Sequence, residues 1–376
     1  MKKRIILISS LFITTVLFAQ TDKQIQSTLD SICKASGYPG VVFSYVDELS
    51  NKHEYASGMA DTLRGLPMKP TYKMHGGSTG KTIVSSIIMQ LVLEGKISIE
   101  DKISQHLGSN TWYSRLANHK DITIRHLLQH SSGIVRYEFK PSFLKQLHED
   151  PLKIWKPEEL LSFVFDDQPP FEAGKGFTYS DTNYILLGMI IEKVTGKEFY
   201  EEAKRRILIP HKLTSFTPTN SDKIDMMAQG YYEEGSEYAL GFKAPFLKDK
   251  IAQNNMQFEW TGGGYAYKTS DYALLLKKIY EGEIFELDKV KDDFFKYIDA
   301  QEIRGEYGLG VIKYEVPEIG VLIGHSGFFP GYNTLGFYHP KSKTSFAMQT
   351  NSTSVQQLRK FFGDYLLLVK SVVNHK

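Results

Sequence analysis

The stretch Gly76-Gly77-Ser78-Thr79-Gly80-Lys81 lies directly before an apolar run, Thr82–Leu93, which Gly95 follows closely. The run predicts a helix that begins near Ser78. Lys81 would then lie one turn after Ser78 on the same face, so its amine would meet the Ser78 hydroxyl. A helix N-terminus stabilises an alkoxide, and a desolvated lysine can lose its proton and act as a base. The stretch therefore predicts a nucleophilic serine with a proton-accepting lysine, the alternative being a capping serine beside a solvated lysine.

The same residues also resemble a phosphate-binding loop, because Thr82 follows the pair Gly80-Lys81. Such a loop requires a glycine at position 75, where this chain has His75. A buried strand should precede the loop, and Tyr72-Lys73-Met74 is a poor candidate for one. A phosphate-binding enzyme is therefore the disfavoured alternative.

The pattern of apolar residues places strands at the two ends of the chain and helices in the middle. It predicts an α+β fold in which both chain ends contribute to one antiparallel sheet, terminal helices flank the sheet, and a mainly helical region is inserted. We expect one domain over residues 20–376, with an α/β region at about 20–75 and 260–376 and a helical region at about 76–259. The predicted strands are Val41–Tyr45, Tyr55–Met59, Tyr307–Tyr314, Val321–Gly324, Thr334–Tyr338 and Ser345–Gln349, and the predicted helices are 23–35, 82–93, 124–130, 157–165, 182–194, 271–280 and 355–372.

The first residues have the layout of a secretory signal peptide. Three basic residues precede an apolar run from Ile5 to Ala19, and a polar stretch begins at Gln20. We expect cleavage after Ala19, hence a secreted or periplasmic protein, and no stable membrane span because the run is short. Removing residues 1–19 would take away three basic residues and no acidic ones, which changes the formal net charge from +2 to −1. A nearly neutral chain has no electrostatic attraction to nucleic acid, so we do not expect nucleic acid as a partner. We expect the protein to be a monomer.

Five motifs occur in the order found in one enzyme superfamily. Together they resemble the serine β-lactamase and penicillin-binding protein superfamily, in its class C-like branch of DD-peptidases, D-aminopeptidases and esterases. The resemblance spans about residues 40–350, nearly the whole chain after the leader. The motifs are the stretch from Ser78 to Ser98, the segment 121–134, Gly176–Tyr184 around Tyr179-Ser180-Asp181, Tyr307-Gly308-Leu309-Gly310 and Gly324-His325-Ser326-Gly327.

This resemblance implies a role for each matching residue. Ser78 attacks the carbonyl carbon, and Lys81 and Tyr179 share its proton and return it to the leaving group. The backbone N–H groups of Ser78 and Phe328 form the oxyanion hole. His325 takes the place filled by lysine in the Lys-Thr-Gly motif of many β-lactamases, where it would contact the substrate or position Tyr179, and Gly327 and Phe328 are expected in the substrate site with it. The resemblance implies no cofactor and no metal.

Two positions depart from the usual pattern. Asp181 stands where asparagine is commoner. If it faces Lys81 in the substrate site, its charge favours the protonated lysine and shifts the base role toward Tyr179, whereas if a helix starts at Thr182 it is the N-cap. His325 stands where β-lactamases carry lysine, and a neutral imidazole holds a substrate carboxylate less firmly. The chain is thus predicted to be a peptidase or esterase that cleaves an amide or ester of a small molecule or peptide through an acyl-Ser78 intermediate. The alternative is a penicillin-binding sensor or scaffold with low turnover.

Other features are less specific. His126 and His130 have the spacing of helical zinc ligands, but Leu127 replaces the glutamate of a metalloprotease, so structural roles are expected. Residues 136–160 and 232–260, which match no motif, are expected to form the substrate pocket. The run Gly262-Gly263-Gly264 is expected to let the backbone pass close to the site.

Overall fold

The computed structural model describes residues 22–233, 235–236, 239–242 and 246–374, so the expected signal peptide, residues 1–19, lies outside the described residues. The helices are α1 over residues 22–36, α2 Lys81–Leu93, α3 Ser104–Leu107, α4 Ile124–Leu128, α5 Pro141–Glu149, α6 Pro157–Ser162, α7 Asp181–Thr195, α8 Phe199–Ala203, α9 Trp260–Gly263, α10 Thr269–Tyr280, α11 Leu287–Phe294 and α12 Val355–Val373. The strands are β1 Gly40–Val46, β2 Lys52–Asp61, β3 Leu66–Pro67, β4 Met74–His75, β5 Thr217–Pro218, β6 Leu247–Lys248, β7 Ile251–Ala252, β8 Tyr265–Tyr267, β9 Ile298–Ala300, β10 Gly305–Tyr307, β11 Ile312–Val316, β12 Gly320–Phe329, β13 Tyr332–His339 and β14 Thr344–Thr350.

One antiparallel sheet joins the two ends of the chain. Among the described residues it has nine strands in the order β3-β2-β1-β14-β13-β12-β11-β10-β9. The first and last long strands are direct neighbours, since Val41 of β1 pairs with Thr350 of β14. The predicted α+β fold, with a sheet made from both chain ends, is confirmed.

The central strands β1, β13 and β14 are buried on both faces because they are apolar on both sides. In β1, Val41, Phe43 and Tyr45 point to one face, where α1 and α12 cover them, and Val42 and Val46 point to the other. The second face packs on α10 and on the helical region between the two sheet halves. This alternation places β1 in the middle of a three-layer arrangement.

Several predicted boundaries differ from the observed ones. The single strand predicted over Tyr307–Tyr314 is two strands, β10 and β11, because Gly310 adopts a left-handed φ of 76° in the turn between them. The helix predicted over 124–130 ends at Leu128, since His130 has a φ of 57°. The helix predicted over 157–165 ends at Ser162, and the strand predicted over Val321–Gly324 continues to Phe329.

The fold brings the Ser78 segment to the end of a central strand. A 3₁₀ helix, Gly77–Gly80, connects β4 to α2 and packs against β12. The start of α7 and the short α9 approach the same place from the helical region. Within the described part of the chain, no helix is both long and apolar enough to cross a membrane.

Candidate active site

Ser78 and Lys81 lie together at the start of α2. Ser78 is in the 3₁₀ turn and Lys81 is the first residue of the α-helix, so that Nζ of Lys81 donates a hydrogen bond to Oγ of Ser78 over 3.0 Å. Lys81 has no exposed surface, and its Nζ also donates to the carbonyl oxygen of Gly262 over 2.6 Å and to Asp181. The alternative of a solvated lysine beside a capping serine is therefore wrong.

Glycines allow the Ser78 turn to lie against β12. Gly77 has a left-handed φ of 53°, and a Cβ atom on it would lie 2.5 Å from the backbone nitrogen of Phe328. A Cβ atom on Gly327 would lie 1.9 Å from the carbonyl oxygen of Gly76. Side chains at either place would push the turn away from the strand, so these glycines keep Ser78 next to the backbone of Phe328.

Asp181 is the first residue of α7 and faces Lys81. Ser180, not Asp181, occupies the N-cap position, which corrects the alternative in which the helix starts at Thr182. Oδ1 of Asp181 accepts a hydrogen bond from Lys81, and Oδ2 of Asp181 accepts one from Arg136 over 2.8 Å. Burial alone would raise the pKa of Asp181, but the charges of Lys81 and Arg136 outweigh burial and hold that pKa well below its ordinary value. Asp181 is thus a carboxylate between two cations.

Two glutamates complete this charged group. Glu138 accepts a hydrogen bond from Arg136 over 3.2 Å, so its carboxyl group and that of Asp181 bind the same guanidinium group. Burial, followed by the neighbouring Asp181 charge, raises the pKa of Glu138 well above its ordinary value, so Glu138 takes up a proton more readily than Asp181 does. Burial and the same Asp181 charge raise the pKa of Glu259 to about 8. Oε2 of Glu259 is shielded from solvent and accepts no hydrogen bond from the described residues.

Tyr179 lies beside Ser78 as a neutral phenol. Burial and the charge of Asp181 raise its pKa well above the ordinary value, although an interaction of its hydroxyl with Ser78 works in the opposite direction. Its ring packs on the imidazole of His130, with 4.1 Å between ring centroids, and lies 5.0 Å from Nζ of Lys81. A phenol in this environment keeps its proton at neutral pH, so at rest Tyr179 has a proton to give and no phenolate to accept one.

Behind Tyr179, three buried side chains form one hydrogen-bonded chain. Nδ1 of His130 accepts the backbone N–H of Ser180 over 3.1 Å, so the ring proton is on Nε2, which lies 3.2 Å from the hydroxyl of Tyr307. That hydroxyl lies 2.8 Å from Nε2 of His325, whose Nδ1 donates to the carbonyl oxygen of Ser326 over 2.5 Å. The Tyr307 hydroxyl therefore donates to His325, and both imidazoles are neutral.

Both ring nitrogens of His325 form hydrogen bonds inside the protein, Nε2 with Tyr307 and Nδ1 with Ser326. Burial, followed by the charge of Lys81, lowers the pKa of His325 to about 3. His325 is not among the residues that line the cavity in front of Ser78, although Ser326, Gly327 and Phe328 are. The resemblance implied two roles for His325. The arrangement does not favour the first, direct contact with the substrate. The second, positioning Tyr179, stays a prediction.

The cavity in front of Ser78 has a volume of about 540 Å³. It brings together the predicted residues Ser78, Tyr179, Asp181, Gly327 and Phe328, while Lys81 lies buried behind them. Both segments expected to form the pocket contribute to its wall. The lining residues are Ser78, Arg136, Glu138, Phe139, Tyr179, Asp181, Leu240, Phe258, Glu259, Glu302, Ile303, Ile312, Ser326, Gly327, Phe328, Pro330, Asn333 and Leu358.

The sequence interpretation missed Arg136, Glu138 and Glu259 as individual site residues. They lie in segments without a periodic pattern, and their one signal is that charged residues sit among aromatic ones. It also assigned His130 only a structural role, whereas the ring of His130 packs directly on Tyr179. His126 has the structural role expected, because its Nδ1 accepts the backbone N–H of Thr123 over 3.3 Å in the first turn of α4.

Comparison with known proteins agrees with this geometry. Residues 22–366 match the Beta-lactamase family. Penicillin-binding protein 4* of Bacillus subtilis (strain 168) is 24% identical over 326 residues, which are 83% of this chain and 68% of that protein. Teichoic acid D-alanine hydrolase of Staphylococcus aureus is 25% identical over 356 residues, 93% of this chain and 78% of that protein. The crystal structure of D-amino acid amidase from Ochrobactrum anthropi SV3, complexed with L-phenylalanine amide, superposes with a TM-score of 0.79 at 20% identity, covering 95% of this chain and 98% of that one.

The family match covers almost all of the described chain. The sheet made from both chain ends has the serine hydrolase-type fold of that family. The structure does not support the phosphate-binding alternative, because Lys81 is buried and bound to other side chains of the protein. The chain belongs to the beta-lactamase family.

Proposed function

We propose that this protein hydrolyses esters or amides of an amino acid whose α-amino group is free, with a D-amino acid as the acyl group. Ser78 forms the acyl intermediate, and water releases the amino acid from it. The proposal includes the secreted or periplasmic location expected from residues 1–19. The monomeric state stays a prediction, since a penicillin-binding protein homologue from Pyrococcus abyssi with a TM-score of 0.70 is octameric.

The carboxyl groups in the cavity wall are the observation that carries this proposal. Four carboxyl groups line it, those of Glu138, Asp181, Glu259 and Glu302, against the single cation Arg136. Both Asp181 and Glu138 already bind Arg136. A substrate carboxylate would therefore meet no unpaired cation among the described lining residues, whereas a substrate ammonium would meet the carboxyl groups of Glu259 and Glu302 in the cavity wall.

The proton path follows from the resting charges. Lys81 is paired with the Asp181 carboxylate, so it accepts the Ser78 proton only as it passes one of its own protons to Tyr179. The Tyr179 phenol donates the proton that the leaving group needs, and it regains one from Lys81. This assignment makes Tyr179 the acid of the acylation step, whereas the sequence favoured it as the base.

The relatives support an acyl group of this kind. One relative is named a teichoic acid D-alanine hydrolase, and one structural neighbour a D-amino acid amidase. Penicillin-binding protein 4* supports the alternative function, acylation by penicillins with slow release. The cavity speaks against that alternative because penicillins carry a carboxylate, and Arg136 is already occupied.

Hydrolysis of two matched pairs of substrates, compared with a β-lactam, tests the proposal. We expect the p-nitroanilide and methyl ester of D-alanine to be cleaved with a kcat/KM at least about tenfold above that of N-acetyl-D-alanine analogues, since acetylation removes the charge that the carboxyl groups bind. The chromogenic β-lactam nitrocefin should be a poor substrate. Ser78→Ala provides the baseline. Equal rates for free and acetylated substrates, or a long-lived nitrocefin adduct without cleavage of either ester, would refute the proposal in favour of the penicillin-binding alternative.

A further inference from the structure

His75 is a buried histidine that lies three residues before Ser78 in the chain. It is the last residue of β4, pairs with Ala266 of β8 and has no exposed surface. Nδ1 of His75 accepts the backbone N–H of Gly77 over 3.0 Å, which places the ring proton on Nε2. Burial lowers the pKa of His75 to about 3, so the ring is neutral and Nδ1 keeps the lone pair that this hydrogen bond needs.

The other ring nitrogen of His75 has no partner in the part of the chain that the structure describes. Nε2 is shielded from solvent and meets no acceptor there. An unpaired N–H group in a protein interior costs stability, so a buried histidine in this state needs a physical explanation. A leucine at position 75 would avoid this cost, but it could not accept the N–H of Gly77. The hydrogen bond to Gly77 is therefore what distinguishes His75 from an ordinary core residue.

That hydrogen bond holds one end of a peptide group beside the nucleophile. The peptide bond between Gly76 and Gly77 carries the N–H that His75 accepts, and its carbonyl oxygen accepts a hydrogen bond from the hydroxyl of Thr79 over 2.8 Å. Gly77 has a left-handed φ of 53°, a conformation in which glycine has considerable freedom to rotate. With both ends of this peptide bond held, the next peptide bond, which carries the N–H of Ser78, has a fixed direction.

The ring of His75 also contacts the opposite side of the predicted oxyanion hole. It stacks on the ring of Phe329, with 3.8 Å between ring centroids and 14° between the ring planes. Phe329 directly follows Phe328, whose backbone N–H is the second predicted donor of the hole. His75 thus contacts the residue before one donor and the residue after the other.

We propose that His75 is a positioning residue that sets the spacing between the two N–H donors of the oxyanion hole. Its hydrogen bond to Gly77 holds the Ser78 side, and its stacking on Phe329 holds the other side. His75 is not among the residues lining the Ser78 cavity, so it acts without touching the substrate. Spacing matters because the donors stabilise the oxyanion only when they point at the place that this oxygen takes in the transition state. The inference rests on the acyl-Ser78 step of the proposed function, and not on the D-amino acid named there as the acyl group.

Four side chains at position 75 separate the hydrogen bond from the stacking. Histidine provides both an acceptor and a ring, His75→Asn keeps an acceptor at the place of Nδ1, His75→Phe keeps only a ring, and His75→Leu has neither. Asparagine and leucine have nearly the same shape, so the comparison of these two variants isolates the acceptor.

The measurement compares an ester with its sulfur analogue. Acylation is followed with p-nitrophenyl acetate and with O-p-nitrophenyl thionoacetate, in which sulfur replaces the carbonyl oxygen and accepts hydrogen bonds weakly. The ratio of kcat/KM for the ester to kcat/KM for the thionoester therefore reports the oxyanion hole. Because both rates come from the same protein sample, the ratio does not depend on the fraction of the protein that is folded.

We expect this ratio to fall at least about tenfold in His75→Leu, and to be at least about threefold higher in His75→Asn than in His75→Leu. The ratio in His75→Phe should also exceed that in His75→Leu, by at least about twofold. Equal ratios in the asparagine and leucine variants would overturn the role of the hydrogen bond. Equal ratios in the phenylalanine and leucine variants would overturn the role of the stacking.

His339→Leu is the matched control for loss of a buried histidine. His339 ends β13, with Nδ1 at 2.8 Å from Oγ of Ser342 and Nε2 at 3.0 Å from the carbonyl oxygen of Ile319. This variant should lower the free energy of unfolding and leave the ester-to-thionoester ratio unchanged. A ratio that falls as far in His339→Leu as in His75→Leu would reduce the role of His75 to stability alone.

The proposed function and the positioning role of His75 fail separately. If the His75 variants show the expected ratios and the wild-type protein cleaves no D-alanyl substrate, the D-amino acid is refuted and the positioning role stands. If the wild-type protein cleaves the D-alanyl substrates and the ratio is the same in wild type and His75→Leu, the positioning role is refuted and the proposed function stands.

Discussion

The hydroxyl group of Tyr307 lies 2.8 Å from Nε2 of His325, and both side chains are buried. Through His130 on its other side, Tyr307 connects the segment that carries Tyr179 to the strand that carries Phe328. The two halves of the candidate site, one from the helical region and one from the sheet, are therefore joined by neutral hydrogen bonds. This chain sets the spacing between Tyr179 and β12 without placing a charge beside either.

Replacing Tyr307 with phenylalanine should reduce both stability and activity. The change leaves the Nε2 atoms of His130 and His325 without their common partner, which costs about 1–3 kcal/mol of unfolding free energy for buried groups. We expect kcat to fall about tenfold or more with little change in KM, because the spacing around Tyr179 matters to the reaction rather than to binding. Urea unfolding and steady-state kinetics measure the two effects.

Tyr332→Phe is the matched control for this variant. The buried hydroxyl of Tyr332 donates to the carbonyl oxygen of Ala228 over 2.6 Å, and Tyr332 is not among the residues lining the Ser78 cavity. This control should lose a similar amount of stability and retain kcat. A kcat that falls equally in both variants would reduce the Tyr307 chain to a general contribution to stability.

Substrate preference should not follow the titration of an ordinary histidine. A free imidazole at position 325 would favour carboxylate substrates below about pH 6.5. Because the pKa of His325 is lowered to about 3, we expect the ratio of kcat/KM for an anionic and a neutral ester to stay constant from pH 7.5 to 5. A rise in this ratio toward pH 5 that His325→Ala abolishes would show that the imidazole does contact the substrate.

The same pKa shift affects folding stability. The unfolded chain binds a proton at His325 below about pH 6.5, whereas the folded protein does so only near pH 3. The free energy of unfolding is therefore expected to decrease as the pH is lowered through this window, by up to about 1.4 kcal/mol per pH unit for each such histidine. His75 is buried with the same shift, so the slope of unfolding free energy against pH should be smaller in His75→Asn than in wild type. Urea unfolding at pH 7, 6 and 5 gives the slopes, and equal slopes would contradict the shift.

The parts of the fold that were predictable have local signals. The alternation in Val41–Tyr45 and the apolar run in Thr82–Leu93 depend only on neighbouring residues, so the sheet from both chain ends and helix α2 could be predicted. The end of α4 could not, because His130 takes a left-handed conformation that its own sequence does not favour. There the tertiary contacts with Ser180 and Tyr307 decide the backbone.

The candidate site was predictable only where a motif contains its residues. Ser78 and Lys81 are one helical turn apart, so their contact follows from spacing. The ion pairs of Arg136 with Glu138 and Asp181 join an irregular loop to a helix start. No periodic pattern identifies such a loop residue, and the pKa values of Glu138 and Glu259 depend on burial that only the folded chain creates.

Asp181→Asn should shift the pH range of activity. The carboxylate of Asp181 binds Nζ of Lys81, and asparagine removes this charge while retaining an oxygen that can accept the hydrogen bond. A negative charge beside the reacting groups opposes removal of the Ser78 proton, so without it we expect the acidic limb of the kcat/KM profile to move to lower pH, by about one unit. A profile for Asp181→Asn that loses amplitude at every pH without moving would instead show that the charge of Asp181 holds Lys81 in place and does not set the pH range. Asp181→Ala, which loses the acceptor as well, distinguishes charge from positioning.

Glu259 should bind the substrate ammonium and release a proton as it does so. Its pKa is raised to about 8, so at pH 6.5 it is neutral and attracts a cation weakly, whereas above pH 8 it is a carboxylate. The amino group of a natural substrate loses its own proton in the same range, which would hide the effect. The methyl ester of N,N,N-trimethyl-D-alanine keeps its positive charge at every pH and therefore isolates the titration of Glu259.

We expect kcat/KM for this ester, divided by that for the neutral N-acetyl ester, to rise about tenfold between pH 6.5 and 8.5 in wild type. The ratio should be flat in Glu259→Gln, which keeps the size of the side chain and cannot ionise. A ratio that rises equally in both proteins would assign the ammonium site to another carboxylate of the cavity, and Glu302→Gln is then the variant to compare.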